Sequence, residues 1–293
     1  MDWQERIISL YLQITELSQS NLQYFCQRFS NNNKPQFTDE ELMTIYLSGI
    51  QQGYKNQKQI YNHAKDYWLD FFPNLPSYSA FNYRINRLES TFSVFCELLQ
   101  LQLPANLYDK NHFRVIDSMP IVMAQQNRRF KAKVAPELAD KSGYCATKNL
   151  FYYGVKLHLM GSYTKGSMPV PEYIGLTNAG MHDSKAYEQI KNDKQVQEYE
   201  KFADKAYPAS CKNKLYVPVK KAKGQEYLDA ADQLYSTEIS RIRQPIESLN
   251  NWIEEKTGIQ MASKVRSTKG LMVHVFGRIA AAFIMLKQKL ITC

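Results

Sequence analysis

The sequence predicts an α/β chain: a helical leading part, then a layered fold on a mixed sheet. Three observations predict it. Apolar residues recur at helical spacing up to about Pro104. Phe151 to Met160 then alternates apolar and polar residues with the period of a strand. Beyond Tyr199, short β-prone runs give way to helical ones, the order of a sheet covered by helices.

Taken in order, Thr38 followed by Asp39, Glu40 and Glu41 marks a helix start, because acids favour the positive end of the helix dipole. Leu42, Ile45, Tyr46 and Ile50 form its apolar stripe, and Gly49 and Gly53 loosen or end it. A second helical run carries Ile60, Ala64, Tyr67, Trp68 and Phe71 and stops at Phe72-Pro73. Ser77 or Ser79 caps a third, holding Phe81, Ile85, Leu88, Phe92, Phe95 and Leu99, with Arg84 and Arg87 on its polar side. Helices with a basic last member suit a helix-turn-helix DNA reader and equally an ordinary bundle.

Phe113, Val115 and Ile116 form a short β-prone run ending at Asp117. In the next strand Tyr153, Val155, Leu157 and Leu159 alternate with Gly154, Lys156 and His158. A third candidate strand lies around Tyr173, Ile174 and Leu176, and Ser184 to Ile190 reads as a helix. Tyr199 to Asp204 and Leu215 to Val219 are further short strands. Ile239, Ile242, Ile246, Leu249 and Ile253 step by three or four, and Pro245 marks a start or kink in that helix.

Bulk properties narrow the function classes. With 293 residues, 44% hydrophobic, the chain has enough material for a full core. A net charge of +9 suits a nucleic-acid partner, although a mildly basic surface also serves solubility. Cys26, Cys96, Cys145, Cys211 and Cys293 lie far apart, so neither a zinc clamp nor a redox pair is expected. No secretory signal is expected, since Asp2, Glu5 and Arg6 interrupt the start. Leu271 to Leu286 is the most apolar stretch; shorter than the ~20 residues of a membrane span, it reads as a buried core helix.

Three acids stand where chemistry is plausible: Asp117 after a β-prone run, Asp204 after another, and Glu247 four residues beyond Arg243 on a helix. Converging carboxylates suit hard divalent cations such as Mg²⁺. Singly, each has an ordinary structural role: Asp117 opening a turn before Pro120, Asp204 capping a helix, Glu247 a first-turn acid paired with Arg243. Asp183, at the turn into a helix beside His182, rivals Asp204. Arg128, Arg129, Lys131 and Lys133 follow Asp117, and Lys220, Lys221 and Lys223 follow the last strand. Such runs are either exposed charged loops or phosphate contacts flanking a cleft.

The surrounding segments carry a resemblance. They are Phe71-Phe72-Pro73-Asn74-Leu75-Pro76-Ser77-Tyr78 with Phe81 and Arg84, Val115-Ile116-Asp117-Ser118-Met119-Pro120, Tyr153-Gly154-Val155-Lys156-Leu157-His158, Ala203-Asp204-Lys205-Ala206-Tyr207, Arg243-Gln244-Pro245-Ile246-Glu247 and Lys264-Val265-Arg266-Ser267. In that order, nearly end to end, they resemble the DDE transposases of bacterial insertion sequences, most closely insertion-sequence family 982. Related families place a tyrosine three residues before the arginine and a lysine seven after the glutamate; here those positions are Ser240 and Glu254.

The resemblance implies an RNase H-like catalytic domain over residues 106–293, with C-terminal helices, after an all-α DNA-end-binding domain over residues 1–105. It implies catalysis by Asp117, Asp204 and Glu247 holding two Mg²⁺ ions, with Mn²⁺ as a substitute. Arg243 and Lys205 would orient phosphates, with Arg128, Arg129, Lys131, Lys220, Lys221, Arg84 and Arg87 as further DNA contacts. The expected partners are double-stranded DNA bearing terminal inverted repeats, target DNA, and a second copy of the chain on DNA, in a bacterial cytoplasm and with no membrane. The alternatives are a non-catalytic DNA-binding repressor from a decayed element, or an RNase H-like nuclease without strand transfer.

Overall fold

The structure, a computed structural model, describes residues 2–26, 35–103, 113–163, 167–191, 199–210 and 214–291. It is a mixed α/β protein that divides into two compact units: residues 1–103 with 253–293, and residues 104–252. Residues 253–293 thus group with the leading helices, and residues 104–252 form a unit of their own.

The first unit contains α1 (Trp3–Ser20), α2 (Asp39–Gln51), α3 (Gln57–Tyr67), α4 (Tyr78–Asn86), α5 (Glu89–Leu101) and, at the chain's end, α8 (Thr268–Ile291). Local chemistry sets the starts. Thr38 accepts from the Glu41 amide while the Glu41 carboxylate accepts from the Thr38 amide, a reciprocal capping box. Asn56 and Ser77 cap α3 and α4. The run from Phe81 to Leu99 is two helices, because the chain turns at Arg87 and Leu88 and restarts with Glu89 in a first turn. The core of this unit includes Leu42, Ile45, Ile60, Trp68, Phe81, Phe92 and Phe95. The window Thr268–Gln288 is long and apolar enough to cross a membrane, but 83% of it is buried inside the protein. The apolar stretch is thus longer than its sequence boundaries suggest, and it serves as a core helix.

The second unit is built on a six-stranded sheet: β1 (Phe113–Gln125), β2 (Ser142–Cys145), β3 (Leu150–Ser162), β4 (Val170–Asn178), β5 (Glu200–Phe202) and β6 (Leu215–Tyr216). The path runs β2-β3-β1-β5-β6, with β4 also paired to β3. β3 lies antiparallel to β1, β2 and β4, whereas β5 lies parallel to β1 and β6 parallel to β5. Helix α6 (Asp183–Ile190) follows β4, and α7 (Ala230–Thr257) follows β6.

Two strand expectations change. β1 does not stop at Asp117 but continues through Pro120 to Gln125. Its pairing with β5 covers only Phe113 to Val115, so beyond that point one edge has no strand partner among the described residues, where a missing N–H is tolerated. In β3 the alternating residues are not divided between core and solvent: Gly154 and His158 are buried as fully as their neighbours, as in a sheet covered on both faces. One cover is clear, since Ile116, Met160, Ala203, Tyr207 and Leu215 cluster with Tyr187 of α6.

Gly154 fixes the register that places Asp117 opposite Leu159. It pairs with Val122 where the β1 register shifts, and a Cβ there would lie 2.0 Å from the Ile121 carbonyl oxygen. Backbone cannot yield as a flexible side chain does. Gly154→Ala is expected to lower stability by about 3 kcal/mol, measured as a shift of the urea midpoint at unchanged slope.

Candidate active site

Asp117 and Asp204 are brought together by the parallel pairing of β1 with β5. Val115 sits opposite Phe202, and each aspartate lies two residues further on. Asp204 leaves the strand into a turn, where its Oδ1 accepts from the Lys205 amide at 2.7 Å and its carbonyl accepts from the Tyr207 amide. It caps no helix.

The third acid comes from α7. Pro245 neither starts nor interrupts this helix, which runs through it and forgoes one i−4 hydrogen bond. Glu247 is therefore not a first-turn acid. Ile246 and Leu249 are buried, while Arg243, Glu247 and Asn250 recur at i, i+4 and i+7 on a neighbouring stripe.

The three acids meet on one guanidinium. Arg243 approaches Glu247 at 3.2 Å, Asp117 at 3.7 Å and Asp204 at 4.0 Å. Its side chain is only 9% exposed, against 21% for Asp117, 44% for Asp204 and 53% for Glu247. The site thus grades from a buried cation to carboxylates that open to solvent. Asn250, which sequence reasoning passed over, donates from Nδ2 to Asp117 Oδ2 at 2.8 Å. Its signal was available, since it lies three residues after Glu247 on the same helix.

One guanidinium leaves negative charge in excess here. Burial pushes the Asp117 carboxyl up to about 6; Arg243 opposes the rise, and the charge of Glu247 adds to it. Beside it, Tyr207 is buried with its hydroxyl lacking a hydrogen-bond partner among the described residues, and burial raises its pKa well above the ordinary value. Asn250 Oδ1 and Arg243 Nε likewise have no partner among the described residues.

Among the described residues, no group of three or more His, Cys, Asp or Glu is gathered closely enough to hold a metal ion. The carboxylates converge on Arg243 rather than on a common point. The donor chemistry still suits a hard divalent cation: only oxygen donors, surplus negative charge and an uncommitted amide oxygen at Asn250.

Asp183 does different work. It is the first residue of α6 rather than its cap, and it accepts from Ser118 Oγ and Lys156 Nζ, both at 3.1 Å. It is therefore a paired carboxylate reached through the residue next to Asp117. His158 is held by Thr177 at 2.8 Å, and burial lowers its pKa to about 4. His182 precedes α6 and makes no side-chain cap hydrogen bond.

The basic candidates scatter. Lys205 is exposed beside Asp204. Arg128 and Arg129 lie in a short 3-10 turn (Gln126–Phe130) beyond the end of β1, and Lys131 follows it. The strand from Asp117 to Gln125 separates that cluster from Asp117 by roughly 25 Å along β1. Arg129 stacks over Phe130 and Phe151. Lys220 and Lys221 are exposed after β6, with Lys221 donating to the Glu226 carbonyl. In the first unit, Arg84 pairs with Asp39 and donates to the Cys26 carbonyl, whereas Arg87 is exposed against the Tyr83 ring. Cys26, Cys96 and Cys145 are free thiols; Cys211 and Cys293 lie outside the described residues. Compared with protein-family models, with curated proteins and with solved structures, the chain gives no match.

Proposed function

We propose that the chain is a DDE-type transposase whose catalytic unit is RNase H-like, acting on insertion-sequence ends and target DNA. One observation carries this: carboxylates from β1, from the turn after β5 and from α7, distant in sequence, converge on Arg243 within 4.0 Å. The sheet supports it too, with an acid on the first strand and another after the strand lying parallel to it.

Asp117, Asp204 and Glu247 would hold Mg²⁺ or Mn²⁺. When bound, such ions supply charge neutralisation at a phosphodiester displacement. Arg243 would orient the phosphate, its guanidinium held by the same three acids. Asn250 fixes the Asp117 carboxylate by its amide hydrogen bond. Water would attack phosphorus at the element end and release a 3′ hydroxyl, which would attack a target phosphodiester and displace a second 3′ oxygen. Catalysis would then rest on positioning and charge. A second copy of the chain on DNA would bring the two ends together.

The test uses duplexes carrying candidate terminal repeats, with Mg²⁺ or Mn²⁺. The expected result is an end-specific nick followed by joining of that strand to a second duplex. Nicking without end preference or joining would indicate a plain nuclease, and binding with no nick a non-catalytic DNA-binding protein.

A further inference from the structure

The helical unit contains a cleft of about 520 Å³ whose chemistry the carboxylate site does not use. Two helices face it in register. Tyr78, Asn82 and Asn86 present one stripe of α4, and Gly270, His274 and Arg278 present one stripe of α8. The start of α3 and the segment before α8 complete the walls with Lys55, Lys58, Lys264 and Arg266. All four of these are exposed, and no acidic residue is among the described residues lining the cleft.

Arg278 makes this more than a basic rim. It is 2% exposed, and its Nη2 donates to the Lys55 carbonyl at 2.5 Å. Nε and Nη1 have no hydrogen-bond partner among the described residues. No acid pairs with it within salt-bridge distance there, and the Glu254 charge acts on it only from further off. Burying a guanidinium without a counter-anion is unfavourable, and an anion in the cleft reverses that. His274 does not supply a charge, since burial keeps it neutral while it bonds the Ile259 carbonyl.

A second cleft, of about 490 Å³, shares Tyr78, Asn82, Asn86 and Ser267 and adds Arg87 together with Lys269, whose ammonium pairs with Glu89 at 2.8 Å. The two clefts therefore run along the whole of α4, about 12 Å, the rise of three to four base pairs, with Lys58, Lys264 and Arg266 in the first and Arg87 in the second as their cations. A single small anion does not need that length; a nucleic-acid strand does.

We propose that this groove docks the phosphate backbone of duplex DNA, with Arg278 as a buried electrostatic anchor and Lys58, Lys264 and Arg266 as the phosphate contacts. The proposal rests on DNA being the chain's substrate, and not on the carboxylates being catalytic.

The experiment is fluorescence anisotropy on a labelled 30-base-pair duplex without divalent cation, across a salt series, using the full chain. The triple variant Lys58→Ala, Lys264→Ala, Arg266→Ala removes exposed side chains and is expected to melt like the parent protein. It should bind at least about tenfold more weakly, with the slope of log affinity against log salt shallower by about 2 to 3, near 0.9 for each lost phosphate contact. Arg278→Met should weaken binding in the same direction, provided its melting transition is retained. Unchanged affinity and slope in the folded triple variant overturns the proposal. So does inorganic phosphate stabilising the parent protein, but not the triple variant, while duplex affinity stays equal; that result marks a small-anion pocket. Since nothing is cleaved in this assay, its failure leaves the carboxylate proposal standing. Conversely, loss of nicking with normal anisotropy bears on the carboxylates alone.

Discussion

Asp117→Asn, Asp204→Asn and Glu247→Gln are each expected to lower end nicking by about a thousandfold or more while leaving duplex binding within a factor of about three. The size follows from the site's construction. The three carboxylates share one buried cation, no further acid among the described residues is within salt-bridge distance of it, and Asp183, the rival candidate, is engaged by Ser118 and Lys156. On the proposed reading, losing one would leave fewer oxygens to neutralise cations bound for the phosphodiester displacement. The substitutions preserve shape, and Asp117→Asn retains an oxygen to accept from Asn250, so folding should survive. Binding should survive because the basic surfaces lie elsewhere in the sequence. A second readout needs no cleavage: Mn²⁺ should raise the melting temperature of the parent protein by mass action on the folded state, and each variant should lose most of that rise. Full nicking by any one of the three would remove that residue from the site.

Each acid was legible as a candidate from its local context, a β-prone run before Asp117, another before Asp204 and a helical stripe beside Glu247, but that the three meet was implied only by the family resemblance. Asn250 was equally accessible from helical spacing, but an asparagine carries no charge to draw attention. The length of β1 was hidden by Pro120, which argues for a turn until one knows that the neighbouring strand ends at Phe202, leaving the β1 edge without a strand partner among the described residues. The placement of α8 was hidden for a different reason. Periodicity reports which face of a helix is buried and not what buries it, and α8 packs against α5, whose sequence lies far upstream. The same limit applies to Arg84. A basic residue on a polar stripe reads as a DNA contact, yet here it meets Asp39, forty-five positions away in the chain. The distance of Arg128 and Arg129 from Asp117, in turn, depends on a strand thirteen residues long where a short one was expected.

Arg243→Met carries the second large effect. At pH 8 it is expected to destabilise the protein by about 3 to 5 kcal/mol, because three carboxylates lose the guanidinium they share, and the one on Asp117 is largely buried. Methionine fills a similar volume, so the loss is electrostatic rather than a cavity. The pH dependence separates this from a packing defect. In the parent protein the Asp117 carboxyl sits at about 6, above its ordinary value of 3.8. A carboxyl raised in the folded state contributes stability that is full below the ordinary value and is lost as pH rises through the folded one. Without Arg243, whose charge lowers that pKa, the carboxyl rises further and the loss moves to higher pH. Urea titrations at pH 8 and pH 5 should therefore show the gap between variant and parent narrowing as acid is added, by roughly half or more. A gap that is constant with pH would mean that Arg243 acts by packing alone, and that the carboxylates around it do not form one electrostatic unit. Adding Asp117→Asn to Arg243→Met supplies the cross-check: if the two share one interaction, the second substitution should restore part of the stability lost in the first.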